Sequence, residues 1–183
     1  MKKLFFIFAM LLAITSMSAN GILVDKVKDG FRFVQTERTP HVFLVKGTMN
    51  DGAVSLDYRS NDEFKQYSVV LYFYSDYNIE KGAKLLLKLD NDEIMELSSN
   101  DKASSTYVGN AFAQILVSFV SYDLTTEQLK KIMTHNVVKL RVETFSGFLN
   151  GKVYGKKFSK AISSDYKEIQ KALSKKNSLY EGF

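Results

Sequence analysis

One stretch decides the fold class of this chain: Val137–Thr144, which reads VVKLRVET. Apolar side chains occupy every second position, at Val138, Leu140 and Val142, and charged side chains occupy the positions between them. Because successive side chains of a strand point to opposite faces, this alternation predicts a β-strand with one buried and one solvated face. On the solvated face, the Arg141 guanidinium is a group that could anchor an anion.

A short helix is predicted directly before this strand. Thr125 and Gln128 have the spacing of a capping box, in which each side chain accepts a hydrogen bond from the other residue's backbone N–H. Leu124 and Leu129 are placed to pack against each other across that cap as a hydrophobic staple. Asn136 is the expected end of the helix, immediately before the strand.

Short alternating or apolar segments, separated by turn-forming residues, fill the chain between residues 31 and 149. The turn signals are Asn50-Asp51-Gly52, Asp90-Asn91-Asp92 and Asn150-Gly151. The further predicted strands cover residues 31–35, 42–46, 53–59, 69–74, 83–89, 93–97, 112–122 and 152–158. Eight or nine short strands with hairpin-length connections predict a mainly β domain with antiparallel pairing, either a β-sandwich or a partly open barrel.

The end of the chain changes to a helical period. Ile162, Tyr166, Ile169 and Leu173 recur at the spacing of one helix face, which predicts an amphipathic helix over residues 159–176. Such a helix is marginal alone in water, so its apolar stripe is expected to dock on the sheet. The absence of repeats and of Gly/Ser linkers predicts one β-rich domain, residues 19–183, that ends in this helix.

The N-terminus has the pattern of a secretory signal peptide. A pair of lysines precedes an unbroken apolar run, residues 4–14, and small residues follow it. Cleavage after Ser18 predicts a signal peptide over residues 1–18, and cleavage after Ala19 is the alternative. The apolar run is too short for a transmembrane helix, which needs about 20 residues. We therefore expect an exported protein, periplasmic or extracellular, with no stable membrane anchor after signal cleavage.

Composition narrows the classes of function. The chain contains no Cys, which excludes disulfides, thiolate nucleophiles, cysteine-ligated metal centres and lipid attachment after the signal. Its net charge of +5 includes the two lysines of the signal, without which 23 basic and 20 acidic residues remain. A nearly balanced exported chain gives no support to nucleic-acid binding.

The residues that usually carry catalysis do not form a recognisable motif. His41 and His135 are the only histidines, and no Ser, carboxylate or second His stands at a motif spacing from either. The acidic clusters at residues 90–93 and 61–63 suit calcium, but they equally suit turns. A Ser-x-x-Lys match at residues 164–167 lacks its accompanying motifs. We expect no catalytic residue, no metal and no cofactor.

Aromatic residues crowd the segment around residues 67–77. An exposed tyrosine row could stack on sugar rings or bind a protein, whereas the same rings could fill the core of a chain that has no Trp. The predicted binding residues are Tyr67, Tyr72, Tyr74, Tyr77 and Arg141.

Two neighbouring runs carry a resemblance. Residues 122–129 read YDLTTEQL and residues 138–143 read VKLRVE, and this arrangement is similar to that of small, uncharacterised exported β-rich proteins of Gram-negative gut bacteria. The resemblance covers about the last third of the chain. It implies an exported β-rich fold and no particular activity.

These features favour a non-enzymatic exported module that binds a protein or glycan of the cell envelope. The alternatives are a carboxylate-dependent hydrolase of envelope material and an assembly component that acts through a strand edge.

Overall fold

The computed structural model describes residues 21–48, 51–110 and 113–180. The predicted signal peptide lies outside the described residues, as do Asn50 of the first predicted turn and Phe112 at the start of a predicted strand. The described elements are β1 (Ile22–Lys28), β2 (Phe31–Thr36), β3 (Thr39–Val45), β4 (Asp51–Ser60), β5 (Lys65–Phe73), β6 (Lys84–Leu89), β7 (Ile94–Ser98), β8 (Ser104–Asn110), β9 (Ala113–Leu124), α1 (Thr126–Thr134), β10 (Val137–Thr144), β11 (Gly147–Val153) and α2 (Lys157–Tyr180).

The eleven strands of the described chain form one antiparallel sheet in the order β7-β6-β10-β11-β3-β4-β5-β9-β8. β4 pairs with β3 along its first half and with β2 along its second half. β2 pairs in turn with β1. The sheet is not closed into a barrel. In the described chain, the residue after β7 reaches β9 through one isolated bridge, from Ser99 to Tyr122, and β7 and β9 do not pair as strands. The prediction of a mainly β, antiparallel fold with a short helix between strands and a C-terminal helix is confirmed.

The core contains side chains from alternate positions along the strands, together with side chains of α1 and α2. Val54 and Leu56 of β4 and Leu71 of β5 are completely buried. The helix α2 closes the same core with Phe158, Ile162 and Ile169, which are also completely buried; the apolar spacing predicted this for Ile162 and Ile169, whereas Phe158 was assigned to a strand.

The capping box of α1 is formed as predicted. The Gln128 backbone N–H donates to Thr125 Oγ1 at 3.1 Å, and the Thr125 N–H donates to Gln128 Oε1 at 2.8 Å. Leu129 and Ile132 bury the inner face of the helix. The capping residue at the other end is His135, one residue before the predicted end. Neither described helix is long and apolar enough to cross a membrane.

Two predictions near the C-terminus are wrong. Asn150-Gly151 is not a turn, because both residues lie within β11, opposite Arg141 and Leu140 of β10. Gly151 is required there for packing, since a Cβ at this position would lie 2.7 Å from a Leu140 methyl group. The predicted strand over residues 152–158 ends at Val153, because Gly155 takes a positive φ of 53° and the chain enters α2.

The first predicted turn is also displaced. Asp51 and Gly52 lie inside β4, opposite Leu44 and Phe43, so the chain reverses before Asp51. β1 and β8 were not predicted, which is why the described chain has more strands than the eight or nine expected.

Candidate functional site

The four predicted tyrosines do not form one exposed row, because β5 sends alternate side chains to opposite faces. Tyr67 faces the core, with its ring centroid 4.9 Å from that of Tyr58 and 5.6 Å from that of Tyr166 of α2. Its hydroxyl accepts a hydrogen bond from Gln170 at 2.7 Å, and burial raises the pKa of Tyr67. Tyr77 packs edge-on against the buried Phe73. These two tyrosines are therefore part of the packing.

Tyr72 and Tyr74 lie on the other side of the sheet and are half-buried. The Arg38 guanidinium lies 6.0 Å from each of their ring centroids. The Tyr72 hydroxyl is 3.0 Å from Ser55 Oγ, and burial raises its pKa. Tyr72 and Tyr74 therefore form a cation–π cluster with Arg38.

Arg141 lies on a different part of the molecule, on the outward face of β10. The register places Lys139 opposite Lys88 of β6 on one side and opposite Lys152 of β11 on the other. Arg141 stands two positions along the same face of β10. We call these four side chains, Lys88, Lys139, Arg141 and Lys152, the basic face.

A groove of about 240 Å³ lies on the part of the basic face formed by Lys88, Lys139 and Arg141. Leu86 and Ile94 supply its apolar surface, and Ile94 is 63% exposed. The Arg141 Nε donates to Asn150 Oδ1 at 2.7 Å, which holds the guanidinium over the sheet. The ring of Phe148, 62% exposed, has its centroid 5.7 Å from the guanidinium carbon of Arg141.

Within the part of the chain that the structure describes, one of the four side chains of the basic face has an ion-pair partner, and Glu143 stands two positions beyond Arg141 on the same face of β10. Lys88 forms an ion pair with Asp92 at 2.7 Å. No described carboxylate lies within ion-pair distance, 4.0 Å, of Lys139, Arg141 or Lys152. Like charges directly opposite each other on a sheet are destabilising, so this arrangement favours binding of an anion between them.

Each histidine has a carboxylate partner that sequence spacing did not reveal. His41 Nδ1 lies 2.5 Å from Asp51 Oδ2, and the Tyr154 hydroxyl donates to the other Asp51 oxygen at 2.8 Å. These two hydrogen bonds lower the pKa of Asp51. His135 Nδ1 lies 3.4 Å from Asp90. Among the described residues, no group of three or more His, Asp or Glu could hold a metal ion.

The acidic cluster at residues 90–93 is the turn between β6 and β7. Asp92 has a positive φ of 66° and pairs with Lys88, whereas Glu93 pairs with Lys131 of α1 at 2.7 Å. The lysine partners lower the pKa of both carboxyls, so these acids serve the turn and the contact with α1.

Sequence reasoning missed a largely buried carboxyl, Asp57 of β4. It lines a pocket of about 290 Å³ together with Lys26 and Ser68, and its Oδ1 is buried without a hydrogen-bond partner. Burial and the negative charge of Asp165 raise the pKa of Asp57 to about 7. From the sequence, Asp57 is expected at an outward-facing position of a strand, and no pattern marks it as buried. The β1–β2 hairpin, which was not predicted, supplies one wall of its pocket.

Comparison of the chain with protein-family models, curated proteins and solved structures gave no match.

Proposed function

We propose that the mature chain is an exported, non-enzymatic binding module that holds an anionic glycan of the cell envelope on its basic face. The observation that carries this proposal is the cross-strand row Lys88, Lys139 and Lys152 with Arg141 beside it. Export rests on the signal-peptide pattern of residues 1–18.

The chemistry of the basic face suits a carboxylated sugar chain. A planar guanidinium binds a carboxylate through two parallel hydrogen bonds, and the neighbouring ammonium groups add charge without fixing one orientation. The exposed ring of Phe148 and the side chain of Ile94 offer apolar surface on which the faces of sugar rings can pack. The groove is shallow and open, which favours an extended polymer over a small enclosed ligand.

The test is calorimetric titration of the mature protein with oligogalacturonate, with a neutral malto-oligosaccharide of equal length as the comparison. We expect only the acidic chain to bind, with an affinity that falls as salt increases. Arg141→Ala should weaken binding by about tenfold or more, since it removes charged hydrogen bonds. The matched control is Lys102→Ala, an exposed lysine that pairs with Glu80 elsewhere on the molecule.

Three outcomes would contradict this proposal. The first is that the acidic oligosaccharide does not bind. The second is that Arg141→Ala binds it as well as the unchanged protein does. The third is that an acidic peptide binds where no glycan does. The last outcome would assign the basic face to a protein partner.

One observation favours the alternative of a carboxylate-dependent hydrolase. The register places Ser68 of β5 opposite both Asp57 and Asp123, so these carboxylates stand about two strand spacings, roughly 10 Å, apart at their Cα atoms. A carboxyl with a pKa of about 7 suits a general acid. Release of reducing ends from oligogalacturonate, lost in Asp57→Asn, would support this alternative. Intact oligosaccharide after prolonged incubation with the unchanged protein would count against it for this substrate class.

A further inference from the structure

The longest uncharged part of the mature chain forms one structural unit. Residues 103–122 contain no Asp, Glu, Lys, Arg or His, in a chain of which 25% of residues are charged. This segment comprises the whole of β8 and most of β9. Charged residues are therefore absent from nearly all of the β8–β9 hairpin, which lies at one end of the strand order.

This hairpin extends beyond the body of the sheet. β9 pairs with β5 only from Ser118 to Leu124, whereas its pairing with β8 continues outward to Ala113. On the outer part of the hairpin, Tyr107 is 68% exposed and Ile115 is 55% exposed. Near the base of the hairpin, Asp76 accepts a hydrogen bond from Ser105 of β8.

Among the described strands, β8 is the last in the order and pairs with β9 alone, so no described strand covers the backbone N–H and C=O groups of its outer edge. Proteins usually protect such an edge with charged residues, prolines or bulges. β8, which reads SSTYVGN, has neither charge nor proline, and its pairing with β9 runs without a register shift. The edge strands β1 and β7 differ from β8, since β1 contains Asp25, Lys26 and Lys28, and β7 contains Glu96.

The chemistry of this edge limits what can cover it. A lipid phase cannot satisfy the open backbone groups, and β8 is rich in Ser, Thr and Asn. Residues 103–122 offer no charged side chain with which a charged partner strand could form an ion pair. The edge therefore fits a second neutral β-strand, and another copy of this chain carries one of the same length and chemistry.

We propose that two copies of this protein pair through β8, antiparallel and about a two-fold axis at Tyr107. This register puts Tyr107 opposite its own copy, Thr106 opposite Val108 and Ser104 opposite Asn110. No like charges meet, and the two tyrosines form a cross-strand aromatic pair. The sheet continues from one copy into the other, and the strands that carry the basic face, β6, β10 and β11, do not pair with β8.

The first experiment measures the mass of the mature protein by sedimentation velocity over a range of concentrations. We expect a dimer that dissociates on dilution. Tyr107→Lys should give a monomer, because it places two like charges directly opposite each other. Leu23→Lys is the matched control: it is an equally exposed position on the other edge strand β1 and should leave the dimer intact.

The second experiment fixes the register. The chain has no Cys, so Tyr107→Cys introduces a single thiol per copy, and mild oxidation should join two copies through a disulfide. Leu23→Cys should not be joined. A strictly monomeric protein, or a dimer that survives Tyr107→Lys, would overturn the proposal. Oligogalacturonate binding per copy should be unchanged in Tyr107→Lys, so the failure of this proposal and that of the proposed glycan site are separate results.

Discussion

At the scale of single residues, Gly52 is fixed by the ring of Phe43. A Cβ on Gly52 would lie 2.0 Å from Phe43 Cζ, and Phe43 is completely buried, so its ring has no free space to move into. We expect Gly52→Ala to lower the free energy of unfolding by about 2 to 3 kcal/mol through overpacking. Urea denaturation measures this change.

The matched test for Gly52 is a double-mutant cycle with Phe43→Leu. Leucine lacks the ring atoms that meet the added methyl group, so the double variant should lose less stability than the sum of the two single losses. Strictly additive losses would contradict the proposed contact.

Asp57 predicts a pH dependence of stability. Its folded-state pKa, about 7, is above the ordinary value of 3.8 that applies to the unfolded chain. Between these values the folded state keeps a proton that the unfolded state has released, so the free energy of unfolding falls as the pH rises through this window. The total loss is on the order of 4 kcal/mol at most.

Denaturant titrations at about pH 4 and about pH 8 test this expectation. Asp57→Asn should remove most of the difference between the two conditions, and Asp62→Asn, on an exposed connection, should keep it. An unchanged difference in Asp57→Asn would mean that another group carries the pH dependence.

At the scale of elements, the capping box is the contact that starts α1. Thr125→Ala removes the acceptor for the Gln128 N–H and should lower the free energy of unfolding by about 1 kcal/mol. The adjacent, exposed Thr126→Ala should cost less, because Thr126 lies inside the first turn and is not the cap. Thermal and urea unfolding of both variants measure the difference, and equal losses would argue against the cap.

The elements predicted correctly from the sequence are those whose local pattern agrees with the conformation that the tertiary fold requires. The alternation of β10 and the Thr125–Gln128 spacing each point to one conformation, and both were formed. Asn150-Gly151 was misread because Gly151 is selected for close packing against Leu140, which the local sequence cannot show. β8 was missed because a free edge strand exposed on both faces has no apolar alternation to reveal it.

At the scale of the whole molecule, strand order decides which residues form the candidate site. Arg141 could be selected from sequence, since it lies on the polar side of a clear strand. Its companions could not, because Lys88 and Lys152 become its neighbours only when β6 and β11 flank β10. The same limit applies to His41, whose partner Asp51 is brought to it by the pairing of β3 with β4.

The pairing of β3 with β11 also has a consequence for how the protein reaches its native state. Val45 and Gly151, which lie opposite each other, are about a hundred residues apart in the chain. A growing polypeptide therefore cannot complete the centre of its sheet until its last described strand, β11, has been made. Loop closure over such a distance is entropically costly and makes folding slow. Until β11 has been made, the edge of β3 that it covers stays open.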